Sequence, residues 1–257
     1  MQAAETLTMA APHQAIRRDL AAAYRLVAHF GMDDSIFTHI SARLPGPEHH
    51  FLLNALGLRF EEVTPANLVT VNLDGEIIDD PTGLGINPAG FTIHSAVHAV
   101  REDAACVLHT HTPDGIAVSC MAGGLASINQ WALQFHDRVA YHDYESIALD
   151  HDERQRIQAD LGDRQVLILR NHGLLTCGRS VAEAFKLMYN LERSCRVQVS
   201  LQSSRQDITP VPEAVAAKTA GQYAYFYDAI AAGEREDREW AAYHRLLDRV
   251  YPGWDAA

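Results

Sequence analysis

Apolar residues recur at helical spacing from Pro12 to Phe30, through Ile16, Leu20, Ala23, Leu26 and Val27, and Gly31 follows as a candidate C′ residue. The period then changes. Phe37 to Leu44 alternates as a strand does and stops at Pro45-Gly46-Pro47. Phe51 to Leu53 is a second short strand, ending at Asn54-Ala55-Leu56-Gly57. Val69 to Ile78 carries Asp74-Gly75 at its centre, which predicts a two-residue hairpin. A helix is expected from about Gly90 to Val100, and the apolar run Ala104 to Leu108 ends in His109-Thr110-His111. Thr112-Pro113-Asp114 restarts a helix, with proline at a tolerated first-turn position. Val139 to Tyr144 reads as a strand, Asp152 to Leu161 as a helix, and Gln165 to Arg170 as the strand leading into Asn171-His172-Gly173. Ser180-Val181-Ala182-Glu183 has the form of a capping box and opens a long helix to about Ser203. Beyond Pro210 and Pro212 two further helices cover roughly 213–232 and 235–249. Strands mixed with helices on both sides predict one α/β domain over 12–205. Residues 1–11 read as a flexible tail, and 206–257 as a helical extension packing on the domain or on a neighbouring subunit.

Composition narrows the class. Of the 257 residues, 47% are hydrophobic and 21% charged, as in a soluble globular protein. A net charge of −12 argues against nucleic acid or an anionic membrane as a general partner. No stretch approaches the roughly 20 apolar residues of a membrane span, and the first eleven residues lack the basic start of a secretory signal. Cys106, Cys120, Cys177 and Cys195 form no C-x-x-C, so buried, reduced thiols in a cytoplasmic protein are expected.

The candidate chemistry lies in the histidines. His109 and His111 are two apart at a strand end and so share a face. His172 ends a second apolar run, and Gly173 after it permits close backbone approach. Three imidazoles brought from strand ends to one side suit a transition-metal site with open positions. The alternative is an inert, hydrogen-bonded set at a strand mouth. His94 and His98 share a helical face but lack the glutamate of H-E-x-x-H, so one is expected in the core and the other beside a carboxylate. His39 either lines the pocket or sits on the surface. Trp131, Gln134 and Phe135 could wall a pocket, although packing is the simpler reading.

Three separated motifs carry a resemblance. Asn87-Pro88-Ala89-Gly90-Phe91-Thr92-Ile93-His94-Ser95, His109-Thr110-His111-Thr112-Pro113 and Asn171-His172-Gly173-Leu174 resemble the class II aldolase/adducin family, closest to the adducin-like branch and its N-terminal head domain. The resemblance spans roughly 12–205. It implies a three-layer α/β/α sandwich around a central mixed or antiparallel sheet. It implies zinc held by His109, His111 and His172, with Fe2+ or Mn2+ as other ions. It also implies a homotetramer with interface sites, completed by a neighbour's C-terminal residue such as Tyr243.

The departures from the family pattern shape the functional expectation. The aldolases' P-S-S-E becomes Asn87-Pro88-Ala89-Gly90, so two phosphate-binding serines and the acid/base glutamate are missing. Their threonine-glycine phosphate loop corresponds to Leu56-Gly57, and G-N-x-S to Thr38-His39-Ile40-Ser41. A phosphate dianion needs several donors, so a sugar phosphate is disfavoured. The missing proton shuttle is worth about 10²–10⁴-fold, and His39, His94, Gln134 or Tyr243 are the candidates to move protons instead. Asn54, Gly57, Asn87, Gly90 and Thr112 are the substrate-binding candidates.

The first expectation is a metal-dependent lyase, performing aldol cleavage or decarboxylation of a small unphosphorylated hydroxy- or keto-acid through a metal-stabilised enediolate. The second is a three-histidine non-haem Fe(II) oxygenase of the same family. The third is a non-catalytic adducin-like interaction protein. The complete histidine set favours a working site.

Overall fold

The computed structural model describes residues 11–146 and 152–256. Most of the expected tail, 1–10, lies outside them, and Ala11 already belongs to the first helix. In chain order the elements are α1 (Ala11–His29), β1 (His39–Arg43), β2 (Phe51–Leu53), β3 (Val69–Val71), β4 (Ile77–Asp79), α2 (Pro88–Val100) and β5 (Cys106–Thr110). Then follow α3 (Pro113–Ser119), α4 (Gln130–Leu133), β6 (Val139–His142), α5 (Glu153–Leu161), β7 (Val166–Leu169) and β8 (Gly173–Gly178). Three helices end the chain: α6 (Val181–Ser204), α7 (Glu213–Ala231) and α8 (Arg238–Val250).

The strands form one eight-stranded sheet in the order β4-β3-β2-β1-β5-β8-β7-β6. Every neighbouring pair is antiparallel except β6–β7, which is parallel. Strand alternation sorts side chains onto two faces. Ile40, Ala42, Cys106 and Leu108 join one core with Leu20, Tyr24, Phe185 and Leu191 of α1 and α6. Val107, Leu167 and Leu175 join a second core with Ile93 and Val97 of α2 and Ile157 of α5. The result is the expected α/β/α sandwich, helices covering both faces of the sheet. His39, Ser41 and His109 fall on the α2 face by the same alternation, and His39 is paired directly across from His109.

The C-terminal helices behave differently from each other. α8 lies on α1, burying Trp240 and Leu247, with Trp240 Nε1 donating to Asp19 at 3.0 Å. Among the helical residues of α7 only Ala216 and Ala220 are buried. Among the described residues no helix is long and apolar enough to cross a membrane.

Several expectations are corrected. The strand read over Phe37 to Leu44 is shorter, because Thr38 has φ +63° and leaves the ladder. Asp74-Gly75 is not a two-residue hairpin turn. Asn72 to Glu76 form a longer loop in which Asn72 Oδ1 accepts from the Asp74 and Glu76 amides. β8 was not expected at all. It follows β7 after only Arg170-Asn171-His172, with Asn171 at φ +58°. Glu183 does not close the capping box on Ser180. Ser180 Oγ accepts from the Glu183 amide, but Glu183 Oε2 accepts from the amide of Arg179, one residue earlier. Cys120 is exposed, unlike the other three free thiols.

Candidate metal centre

The middle of the sheet builds the site. β5 ends at Thr110, with His109 inside the ladder and His111 one residue beyond it. β8 pairs with β5, and Leu174 lies opposite Thr110. The tight β7–β8 connection therefore sets His172 beside the end of β5. A side chain at Gly173 would collide with the Thr110 carbonyl and crowd Cε1 of His109 at 3.3 Å, so only glycine lets the two strands close here.

Three Nε2 atoms converge as a result. Nε2 of His111 lies 2.9 Å from Nε2 of His109 and 2.9 Å from Nε2 of His172. Donor atoms sharing one ion with bonds of about 2.0–2.1 Å sit roughly 3 Å apart. Two of the three outer nitrogens are already engaged. Nδ1 of His109 lies 2.9 Å from the Leu174 carbonyl, and Nδ1 of His111 lies 2.9 Å from Asp34 Oδ2. Both partners are acceptors, so both rings carry their proton on Nδ1 and leave Nε2 as a lone pair. Lone pairs facing each other at 2.9 Å repel unless something positive lies between them. The donor set thus fits a bound cation, and these outer contacts are the kind that orient metal-binding imidazoles.

The electrostatics agree. Burial pushes His109 well below the ordinary imidazole range, and His172, His111 and His39 press it the same way. His172 is pushed down to about 4 by burial, with His111 and His142 adding to it. Neutral rings are the form that binds a metal.

Behind the triad lies a second histidine array. The His39 ring sits 5.3 Å from that of His109. Its Nδ1 is 2.7 Å from Nε2 of His94, whose Nδ1 is 2.6 Å from Ser41 Oγ, which is 2.7 Å from Nε2 of His98. His94 and His98 are both buried, and neither pairs with a carboxylate as expected for one of them. The space His39 occupies exists because residue 90 is glycine. A Cβ there would fall 2.5 Å from Nε2 and 2.7 Å from Cγ of His39.

Other candidates have structural duties. Asn54 Oδ1 and the Asn54 amide both bond Tyr24 Oη, which also bridges the backbone of Ile40. Asn87 caps α2, its Oδ1 accepting from the Ala89 amide at 3.1 Å. Gly57 has φ +103° and open space around it. The Thr112 hydroxyl donates to Glu192, whose carboxyl burial raises to about 7. Gln134 is not brought to the triad. Its Oε1 accepts from Asn190, and it borders a cavity of about 460 Å³ that none of the three histidines lines. Tyr243 packs against Phe30, Phe185, Tyr189 and Trp240 of its own chain. Sequence reasoning missed Asp34 and Ser41. No spacing or motif marks Asp34, and Ser41, although it ends the Thr38-His39-Ile40-Ser41 motif, has no role legible there, since their partners are 77 and 53 residues away.

Residues 18–199 match the family model described as the Class II Aldolase and Adducin N-terminal domain. A crystal structure of an aldolase II superfamily protein from Pseudomonas syringae is 49% identical, covers 94% of this chain and 95% of that one, and superposes with a TM-score of 0.86. L-fuculose 1-phosphate aldolase from Glaciozyma antarctica PI12 is 30% identical over 93% of this chain and 92% of its own, with a TM-score of 0.78. Alpha-adducin from Mus musculus is 50% identical over 74% of this chain, a stretch that is 26% of the adducin.

Proposed function

The chain belongs to the class II aldolase and adducin family, and from that membership we propose that it is a metal-dependent carbon–carbon lyase acting on a small unphosphorylated hydroxy- or keto-acid. The observation that carries this reading is the convergence of three Nε2 atoms, with the outer nitrogens of His109 and His111 committed elsewhere. His109, His111 and His172 would hold one divalent ion, zinc in the first instance, with Fe2+ or Mn2+ as alternatives. Such an ion, when bound, supplies Lewis-acid stabilisation of negative charge on substrate oxygens.

The protein's own residues then have distinct duties. Asp34 and the Leu174 carbonyl fix the ring orientation of His111 and His109. His39, backed by His94, is the group placed to exchange a proton with substrate. In aldol cleavage a hydroxyl loses its proton as it becomes a carbonyl, the electron pair of the broken C–C bond passes to the fragment that keeps the original carbonyl, and the carbon of that fragment then takes up a proton. Decarboxylation asks less of the protein, since a carboxylate leaves as CO2 without removal of a hydroxyl proton and only the protonation of carbon remains. Pro88, Ala89 and Leu56 offer no side-chain donor to a phosphate, which separates this site from a sugar-phosphate aldolase.

Residues 12–205 would form the metal-binding unit. The extension 206–257 would serve assembly into a tetramer with Tyr243 close to a neighbour's site. Supporting this, α7 leaves Val215, Tyr225 and Phe226 exposed along a largely apolar helix. Free thiols fit a cytoplasmic setting. The similarity to alpha-adducin favours one other reading, a non-catalytic interaction domain.

The deciding experiment is metal analysis of protein purified without chelator, paired with a screen of hydroxy- and keto-acids for carbonyl or CO2 release. Zinc or manganese near one per chain with product release is expected. An ion-free protein would leave the interaction domain, and iron with O2 uptake would replace the lyase by an oxygenase.

A further inference from the structure

We propose that His39, His94, Ser41 and His98 form one hydrogen-bonded file with a single direction, so that Ser41 and the two helix histidines decide whether His39 meets the substrate as an acceptor or as a donor. This deepens the reading of the three-histidine centre as a working site and rests on it.

The file is unbranched. His39 Nδ1 meets His94 Nε2 at 2.7 Å, His94 Nδ1 meets Ser41 Oγ at 2.6 Å, and Ser41 Oγ meets His98 Nε2 at 2.7 Å. All four side chains are buried, which keeps the imidazoles neutral. A neutral imidazole has one N–H and one lone pair, and a hydroxyl has one proton to give. Two arrangements satisfy every contact and also give the Ser41 proton an acceptor. In the first, each histidine carries its proton on Nδ1. His39 donates to His94, His94 to Ser41 and Ser41 to His98, and Nε2 of His39 is a bare lone pair. In the second, each carries its proton on Nε2, every bond reverses, and His39 presents an N–H. Any other set either brings two lone pairs or two protons together or, where Ser41 Oγ accepts from both His94 and His98, leaves the Ser41 proton buried without an acceptor. No group changes charge between the two.

The far end chooses between them. His98 Nδ1 is buried without a hydrogen bond of good geometry, and the Ala104 carbonyl beside that ring favours a proton on it. Nearby Arg43 is turned to the carbonyls of His98 and Arg101. A proton on His98 Nδ1 sets the whole file to the Nδ1 form. His39 Nε2, which has no protein partner but is not sealed from solvent, then accepts a hydrogen bond. That favours a substrate hydroxyl at this point over a carbonyl or carboxylate oxygen, and hence a hydroxy-acid over a keto-acid.

Nitrogen NMR of protein labelled on the histidine rings tests this, since protonated and bare ring nitrogens resonate far apart. His39, His94 and His98 should all show the Nδ1–H form. Ser41→Ala should leave His98 in that form and release His94 and His39 from it, and Ser41→Thr, which keeps the hydroxyl, should preserve the pattern in all three. A mixed set in the wild-type protein overturns the proposal, as do unchanged His94 and His39 in Ser41→Ala. If Ser41→Ala does not fold, the wild-type pattern still decides. Metal content of the same wild-type sample is a separate reading. Its absence would sink the lyase assignment and leave the tautomer result standing.

Discussion

His39 fills the space beside the backbone of Gly90 that any side chain at residue 90 would need. Glycine inside a helix ordinarily costs about 1 kcal/mol relative to alanine, so α2 forgoes propensity to admit an imidazole next to the triad.

Gly90→Ala should therefore destabilise, against the usual helix trend. Overpacking costs about 1–3 kcal/mol, which outweighs the gain in propensity. In a His39→Ala background the same change should be neutral or stabilising by up to about 1 kcal/mol. Urea unfolding of the four proteins measures the difference. Equal effects in both backgrounds would show that the two residues do not compete for space.

Asp34→Ala should weaken metal binding about 10–100-fold, the range for loss of an orienting partner. Asp34 is 44% exposed at its side chain, so the fold should survive. Competition with a chromophoric chelator gives the affinity, and circular dichroism checks the fold. An unaltered affinity would mean that Asp34 does not hold His111.

Acid should destabilise the fold earlier than its carboxylates alone would. Burial pushes His98 down to about 3, with Arg43 adding to it, and His94 moves the same way. The unfolded chain takes up these protons near pH 6.5 and the folded chain does not. Stability is thus complete above pH 6.5 and falls as pH drops towards 3, by about 1.4 kcal/mol per pH unit for each such ring. Denaturant midpoints of the metal-free protein between pH 7 and 5 follow it. A flat profile would contradict the burial of this array.

Tyr24→Phe should cost about 1–3 kcal/mol, because it strips a buried partner from Ile40 and Asn54 together. Metal stoichiometry should be unchanged. A loss of metal would instead place Asn54 at the site.

The fold was legible where period and punctuation agreed. α1 shows a helical stripe ended by Gly31, and β5 and β7 show apolar runs ended by polar residues. β8 escaped because Leu174, Thr176 and Cys177 are all buried, so no alternation marks the strand, and because it starts three residues after β7. The three converging histidines could be read from strand parity and a repeated motif position. Asp34 could not, and Ser41 was visible as a motif position but not as the partner of two helix histidines, since those contacts arise only when distant segments meet. Gln134 does border a cavity, but one away from the three histidines, and just past α4 its side chain meets Asn190.

The pairing of β5 with β8 has one more consequence. In an unfolded chain only His109 and His111 are neighbours, and His172 joins them when those two strands zip together at the sheet's midline. A cation that prefers three imidazoles to two would act as a clasp on that seam, favouring the closed sheet by the margin of its preference. Assembly of the fold and loading of the centre would then be two views of one equilibrium.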